Sequence, residues 1–294
     1  MVLTGLSGLS VPGQPGKNTG EIITDGRIRS DFSRGMLYLY NFEFNNALQV
    51  SEQLKTTSQA SPWGFVLEAN VLWWKLITGE NNPVTKKQFF EALKLSDNHN
   101  NTGNIDEKLY CQIITNSLRS RYELLNKNYF STLVILNKSK KNIKQMQGKE
   151  NEYEPFLLTQ GLFQYFIAVA KEKTGLLSYL LEYKTDKQMG LDCLNRLTHS
   201  ENKVLRTESN YFLMKIYLEI EKDPLKAKPY ADYLVTWYPG NFIFCYYNQM
   251  VNTRVYGKTF VKYDIPACSG KVPDPAQLTE NQIFYLNSLS AQNK

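Results

Sequence analysis

The chain holds two histidines, His99 in the Asn-rich run DNHNNTGN and His199 in LTHSEN, and neither is set for acid–base chemistry. No GxSxG, HExxH or phosphate-loop pattern accompanies them, so nothing pairs an imidazole with a nucleophile or a metal. Acid–base work by carboxylates needs surroundings that perturb their pKa. The pairs Glu150 with Glu152 and Glu219 with Glu221 stand instead in charged surface contexts. DNHNNTGNID supplies Asp and Asn oxygens but lacks the ordered spacing and closing glutamate of an EF-hand, and reads as a polar turn. Four cysteines, Cys111, Cys193, Cys245 and Cys268, form no CxxC or Cys/His metal spacing and no dense disulfide framework. The expectation is a protein that is not an enzyme, with no catalytic residue, no metal site and no cofactor.

Binding chemistry is better supplied. Aromatics make up 13% of the chain, and two blocks stand out: YLYNFEFNNALQ over residues 38–49 and NVLWWKLITGEN over 70–81. Adjacent helical positions differ by about 100°, so Trp73 and Trp74 cannot enter one interface, and one of them is expected to be at least partly exposed. The arginines of SLRSRYELL, Arg119 and Arg121, are candidates to pair with an acidic side chain or a C-terminal carboxylate. A formal charge of +6 permits contact with anionic surfaces without requiring it. The one dense basic run, KSKKNIKQMQGK over 138–149, lacks base-stacking aromatics and reads as a solvated helix end, so nucleic acid is not expected as a partner. Apolar runs stop near ten residues, too short to span a bilayer.

From residue 27 onward apolar residues recur at three- and four-residue intervals, which predicts amphipathic helices almost throughout. Breaks are expected at Ser61-Pro62, Gly79 to Pro83, Asn98 to Asn104, Gly148 to Pro155, Gly175, Asp186 to Gly190, His199 to Asn202, Asp223-Pro224 and Pro239-Gly240. They separate about ten or eleven helices, and joins this short imply antiparallel neighbours.

The helices repeat imperfectly. Gly35, Tyr38, Phe44 and Ala47 follow a G-x2-Y-x5-F-x2-A spacing, and KAKPYADYLVTWYPGN places Ala227, Ala231, Leu234 and Pro239 at offsets of four, three and five. Small residues admit close helix approach, and Tyr38, Phe42 and Phe44 are expected to fill the groove beside Gly35 and Ala47. These positions resemble the small, aromatic and terminating-proline positions of the tetratricopeptide repeat. With YNFEFNNAL, WWKLI, FFEAL, QGLFQYFIAVA, DKQMGLDCL and YPGNFIF, nearly the whole chain resembles a divergent bacterial family of tetratricopeptide proteins, and distantly the Iml2-type tetratricopeptide group. The resemblance implies an all-α superhelix, a solenoid of irregular antiparallel helix pairs, and no reaction. It further implies that the first helix of each pair lines a concave groove. Carrying the register from Gly35 puts Arg29, Phe32, Met36 and Tyr40 there, joined by Trp74, Arg119 and Arg121.

Three regions follow: a flexible Gly/Ser/Pro-containing leader over 1–26, the helical array over 27–257, and a capping tail over 258–294 that runs extended through its prolines and restarts a helix at Thr279. The leader lacks the basic and apolar regions of an intact secretory signal, which leaves the cytoplasm and, with a signal removed, the periplasm or cell envelope both open. Oligomeric state is not encoded in any of these patterns. The expected function is a protein-interaction scaffold holding a peptide or protein segment in the groove; the alternative is an envelope protein that captures a glycan or small ligand on its flat aromatic faces.

Overall fold

Asp and Asn side chains start most of the helices. Asp25, Asn82, Asn104, Asp186, Asn202, Asp223 and Asn241 each accept a backbone N–H from the first turn that follows them, satisfying donors the helix itself cannot pair. Pro83 and Pro224 occupy first-turn positions where a missing N–H costs nothing. The computed structural model describes residues 21–57, 61–100, 104–149, 152–174, 185–257 and 279–291. Within them lie α1 (Gly26–Tyr40), α2 (Phe44–Thr57), α3 (Trp63–Ile77), α4 (Pro83–Asn98), α5 (Ile105–Leu125), α6 (Tyr129–Met146), α7 (Glu154–Thr174), α8 (Lys187–Leu197), α9 (Lys203–Lys215), α10 (Pro224–Trp237), α11 (Phe242–Tyr256) and α12 (Glu280–Ala291). A π-helical turn, Ile216–Ile220, prolongs α9, and no strand occurs among the described residues.

Helices pack as consecutive antiparallel pairs, as an all-α superhelix requires. Five helices form an inner layer, in which α1 touches α3, α3 touches α5, α5 touches α7 and α7 touches α9. The inner layer then closes, because α9 returns to α1. Among the described residues the five inner helices thus form a ring. Aromatic packing closes it: Tyr40 meets Tyr238 edge-on at 5.6 Å, and Phe42 meets Phe242 at 5.7 Å and Trp74 at 5.8 Å. Asn241 donates to the Tyr40 carbonyl at 2.9 Å across the same seam. Phe42 sits in the α1–α2 turn at φ 61°, a left-handed conformation that a bulky side chain adopts at a cost, and its burial to 2% exposure offsets the strain.

Glycine sets two of the closest approaches. A Cβ on Gly35 would lie 2.2 Å from the buried Leu67 side chain, so the absence of one lets α1 and α3 come together. Gly190 is the clearer case: a Cβ there would lie 2.7 Å from the Tyr165 backbone nitrogen and 2.8 Å from the Gly161 carbonyl oxygen. Expected as part of a break, Gly190 instead lies inside α8, where it lets that helix cross α7 backbone to backbone. At the chain's start, Ile22 and Ile23 are core residues at 3% and 5% exposure, so the expected flexible leader gives way to packed chain before residue 26. The expected break at Gly175 and the extended part of the tail, 258–278, lie outside the described residues.

Candidate functional site

Phe32–Trp63 contacts at one end and Phe42–Trp74 contacts at the other show that α1 and α3 run in the same direction. Trp63 also meets Tyr110 of α5, which meets Phe156 of α7, so the inner helices bring their N-terminal halves together at one end of the ring. That end is sealed. Trp63 is fully buried and donates from Nε1 to the Glu107 carboxylate at 2.7 Å, and Thr24 donates to the same carboxylate from its hydroxyl at 3.0 Å. A buried carboxylate is costly unless it is bonded in this way. Arg29 completes the seal by donating to the Ile23 carbonyl at 3.1 Å.

Midway along the ring, Tyr40 donates to Glu208 at 2.6 Å. Burial and then the Glu208 charge hold the Tyr40 phenol well above the ordinary tyrosine value; Tyr110 is raised in the same way and from the same two causes. Both phenols stay protonated, and Tyr40 serves Glu208 as a donor.

The opposite end collects cations and rings that keep part of their surface open. Glu208, Tyr211, Phe212 and Lys215 recur along one stripe of α9, and all are half-buried. Lys215 donates to the Tyr247 hydroxyl at 2.8 Å, lies 3.3 Å from Glu219 and retains 31% side-chain exposure. Burial opposes its charge most strongly, but Tyr211, Tyr247 and Glu219 outweigh burial and raise its pKa, so the ammonium persists. Arg121 reaches across from α5, its guanidinium 4.8 Å from the Phe212 ring centre in a cation–π arrangement. Beneath them Tyr211 packs on Trp74 at 5.8 Å and on Phe244 at 5.7 Å. Helix α12 lies beside this end: Gln282 donates to Thr78 at 3.0 Å, and a Cβ on Gly79 would meet Tyr285 at 2.9 Å.

Of the residues expected in the groove, Arg121 alone offers an open charge in the lumen. Phe32, Met36, Tyr40 and Trp74 are at 8%, 4%, 1% and 4% exposure, and their placement on a ligand surface is corrected: ring closure buries them as core. Arg29 is spent on the N-terminal segment, and Arg119 pairs with Asp97 at 2.6 Å. Trp73 is the partly exposed member of its pair. His99 stacks on Phe65 at 4.7 Å and bonds the Leu95 carbonyl, a structural role. Sequence reasoning passed over Tyr211, Phe212, Lys215 and Tyr247. The signal was present in ESNYFLMK, where Glu208, Tyr211, Phe212 and Lys215 fall at i, i+3, i+4 and i+7 and mix charge with rings on one face.

No family model matches the chain, and comparisons with curated proteins and with solved structures return no match. The fold therefore defines the class, an all-α array of antiparallel helix pairs. None of the described helices is long and apolar enough to cross a membrane, and the described residues hold no group of three or more His, Cys, Asp or Glu side chains placed to bind a metal ion.

Proposed function

We propose that this chain is a non-enzymatic interaction protein of the tetratricopeptide kind, holding a peptide segment of a partner at the open end of its ring. The observation that carries the reading is the half-buried set of Arg121, Tyr211, Phe212, Lys215 and Tyr247, gathered from α5, α9 and α11 at the end of the ring opposite Trp63 and Glu107. Cations and rings supported by a rigid layer are the residue types that anchor protein interfaces. An array of octapeptides probed with the parent and with Lys215→Ala and Arg121→Ala tests it. Binding by the parent that both variants lose, with their helical circular dichroism intact, is expected; binding that is unchanged in both variants contradicts the reading.

Glycan capture is a second reading, supported by a different surface. Trp237 is 55% exposed, with the half-buried Tyr233 ring 6.2 Å away, so its indole offers an exposed face on which a sugar can stack. Cys245 is disulfide-bonded, which supports an oxidising compartment such as the cell envelope, where glycans are at hand. Thermal shift against neutral oligosaccharides checks this reading: stabilisation that disappears in Trp237→Ala supports it, and a flat panel removes it.

A further inference from the structure

The α5–α6 turn holds two leucines out of the fold. Lys127 takes the left-handed conformation there, at φ 60°, as Phe42 does in the α1–α2 turn, but the two turns present their side chains oppositely. Phe42 is buried, whereas Leu124 and Leu125 are 54% and 49% exposed and Lys127 is exposed beside them. The turn is fixed by its own bonds: the Asn128 backbone N–H donates to the Glu123 carbonyl at 2.8 Å, and the Asn126 side chain donates to the Tyr122 carbonyl at 2.8 Å. Beneath it Tyr122 packs edge-on against Phe90 of α4 at 4.8 Å and against the fully buried Phe89 at 5.8 Å. The two helices run antiparallel, since Asp97, later on α4, meets Arg119, earlier on α5. The turn of α4 before Phe90 therefore comes level with the last residues of α5, which sets Lys86 and Lys87 at the level of Leu125 and brings Val84, 66% exposed, toward the same edge.

Charge on this edge is one-sided. Lys86, Lys87, Lys94, Lys127, Lys138 and Lys141 lie on α4, the turn and α6, and among the described residues none has an ion-pair partner. Carboxylates here are fewer and mostly engaged: Asp97 is paired with Arg119, Glu123 accepts from the Asn128 side chain at 2.8 Å, and Glu80, just before α4, accepts from Thr279, which leaves the exposed Glu91.

We infer that this edge docks on an anionic lipid bilayer, with Val84, Leu124 and Leu125 entering the headgroup layer and the lysines meeting the lipid phosphates. Apolar side chains raised on a rigid support and flanked by lysines supply both parts of interfacial binding, burial of apolar area and attraction to anionic lipid. The cations are all lysines, point charges that suit a fluid array of phosphates better than a fixed planar acceptor. Leucines give no flat ring for a base to stack on, which disfavours nucleic acid. The inference stands apart from the peptide reading, because none of these residues belongs to the set around Arg121 and Lys215.

The full-length chain is co-sedimented with vesicles of phosphatidylcholine alone and with vesicles of phosphatidylcholine and phosphatidylglycerol in equal parts. The parent is expected to sediment with the mixed vesicles and not with the neutral ones, and to be released as salt is raised. Leu124→Ser/Leu125→Ser is expected to lose about tenfold or more in vesicle affinity, and Lys86→Gln/Lys87→Gln/Lys127→Gln a similar factor. Helical circular dichroism should be unchanged in both, since none of the replaced side chains is buried. Equal sedimentation with neutral vesicles, or none with either kind, overturns the inference. Binding that falls in the lysine variant and is unchanged in the leucine variant also overturns it, by reducing the edge to a charged patch that lipid does not enter. Soluble polyglutamate that displaces the parent from the vesicles, and binds with the same loss in both variants, overturns the lipid in favour of an acidic protein.

Discussion

The two ends of the inner ring use the same residue types to opposite effect. At the sealed end Glu107 faces Trp63 and Thr24, every strong group is paired, and the carboxylate is 4% exposed. At the opposite end Arg121 and Lys215 face Phe212, Tyr211 and Tyr247; Lys215 is paired with Glu219, and both side chains keep part of their surface exposed. Composition does not separate the two regions; satisfaction does. A charge whose partners are supplied by the chain acts as structure, and a charge left with spare donors in a concave place can act on something else.

Breaking the sealed end should have the largest effect. Trp63→Ala removes a fully buried ring and strips Glu107 of its indole donor, and the expected cost is about 3–5 kcal/mol, read as a lower midpoint in urea. Trp63→Phe, which restores most of the volume but not the N–H, separates the two contributions. A loss as large as that of alanine would assign the cost to the Glu107 bond, and a near-wild-type midpoint would assign it to packing.

Gly190→Ala tests the backbone crossing next to the ring. The new methyl would meet main-chain atoms of Tyr165 and Gly161 at 2.7–2.8 Å, which cannot swing aside, and about 2–3 kcal/mol of destabilisation is expected. Gly35→Ala meets side-chain atoms of Leu67 and should cost less. The reverse order would mean that the α1–α3 contact is the stiffer of the two.

Tyr40→Phe probes the middle of the ring, where the two regions meet. Loss of a hydrogen bond to a half-buried carboxylate should cost about 1.5 kcal/mol. The phenol also predicts an alkaline limit. A group raised in the folded state contributes stability that is complete below its unfolded value and is lost as pH rises above it, so the chain should weaken progressively above the ordinary tyrosine value of 10.0. Tyr110, Tyr211 and Tyr247 are raised by burial in the same way and add to that slope. Denaturant midpoints for Tyr40→Phe measured from pH 8 upward should fall less steeply than those of the parent; parallel curves would remove Tyr40 from the account.

The smallest effect belongs to Glu221, which closes the π-helical turn behind the open end. Burial pushes its carboxyl up, but hydrogen bonds from Tyr165 and Lys187 outweigh burial and hold its pKa below the ordinary glutamate value of 4.5. A carboxylate depressed in the folded state contributes above the unfolded value and loses that contribution as pH falls through the folded one. Glu221→Gln should therefore flatten the acid limb below pH 4.5 and leave the alkaline limb unchanged.

Much of the fold was legible because helix boundaries are local. Asn82, Asn104, Asn202 and Asp223 cap where breaks were expected, and Gln282 donates its backbone N–H to Thr279 at the predicted restart. Ring closure was not legible. It depends on Tyr40 meeting Glu208 and on Asn241 meeting the Tyr40 carbonyl, pairs separated by 168 and 201 residues, and no local period carries such a pairing. The burial of Tyr40 and Trp74 was not legible for the same reason: the register that reads them as groove residues takes no account of the packing between distant helices. The turn at Lys127, at φ 60°, was also unmarked, since Asn-Lys-Asn carries neither glycine nor proline.

The contrast between the ends is tested most directly by the double variant Arg121→Ala/Lys215→Ala, measured for both folding free energy and peptide binding. The account predicts a folding free energy within about 1 kcal/mol of the parent, because neither side chain seals the core, together with loss of all binding to the array. A destabilisation matching that of Trp63→Ala, or binding equal to the parent's, would contradict it.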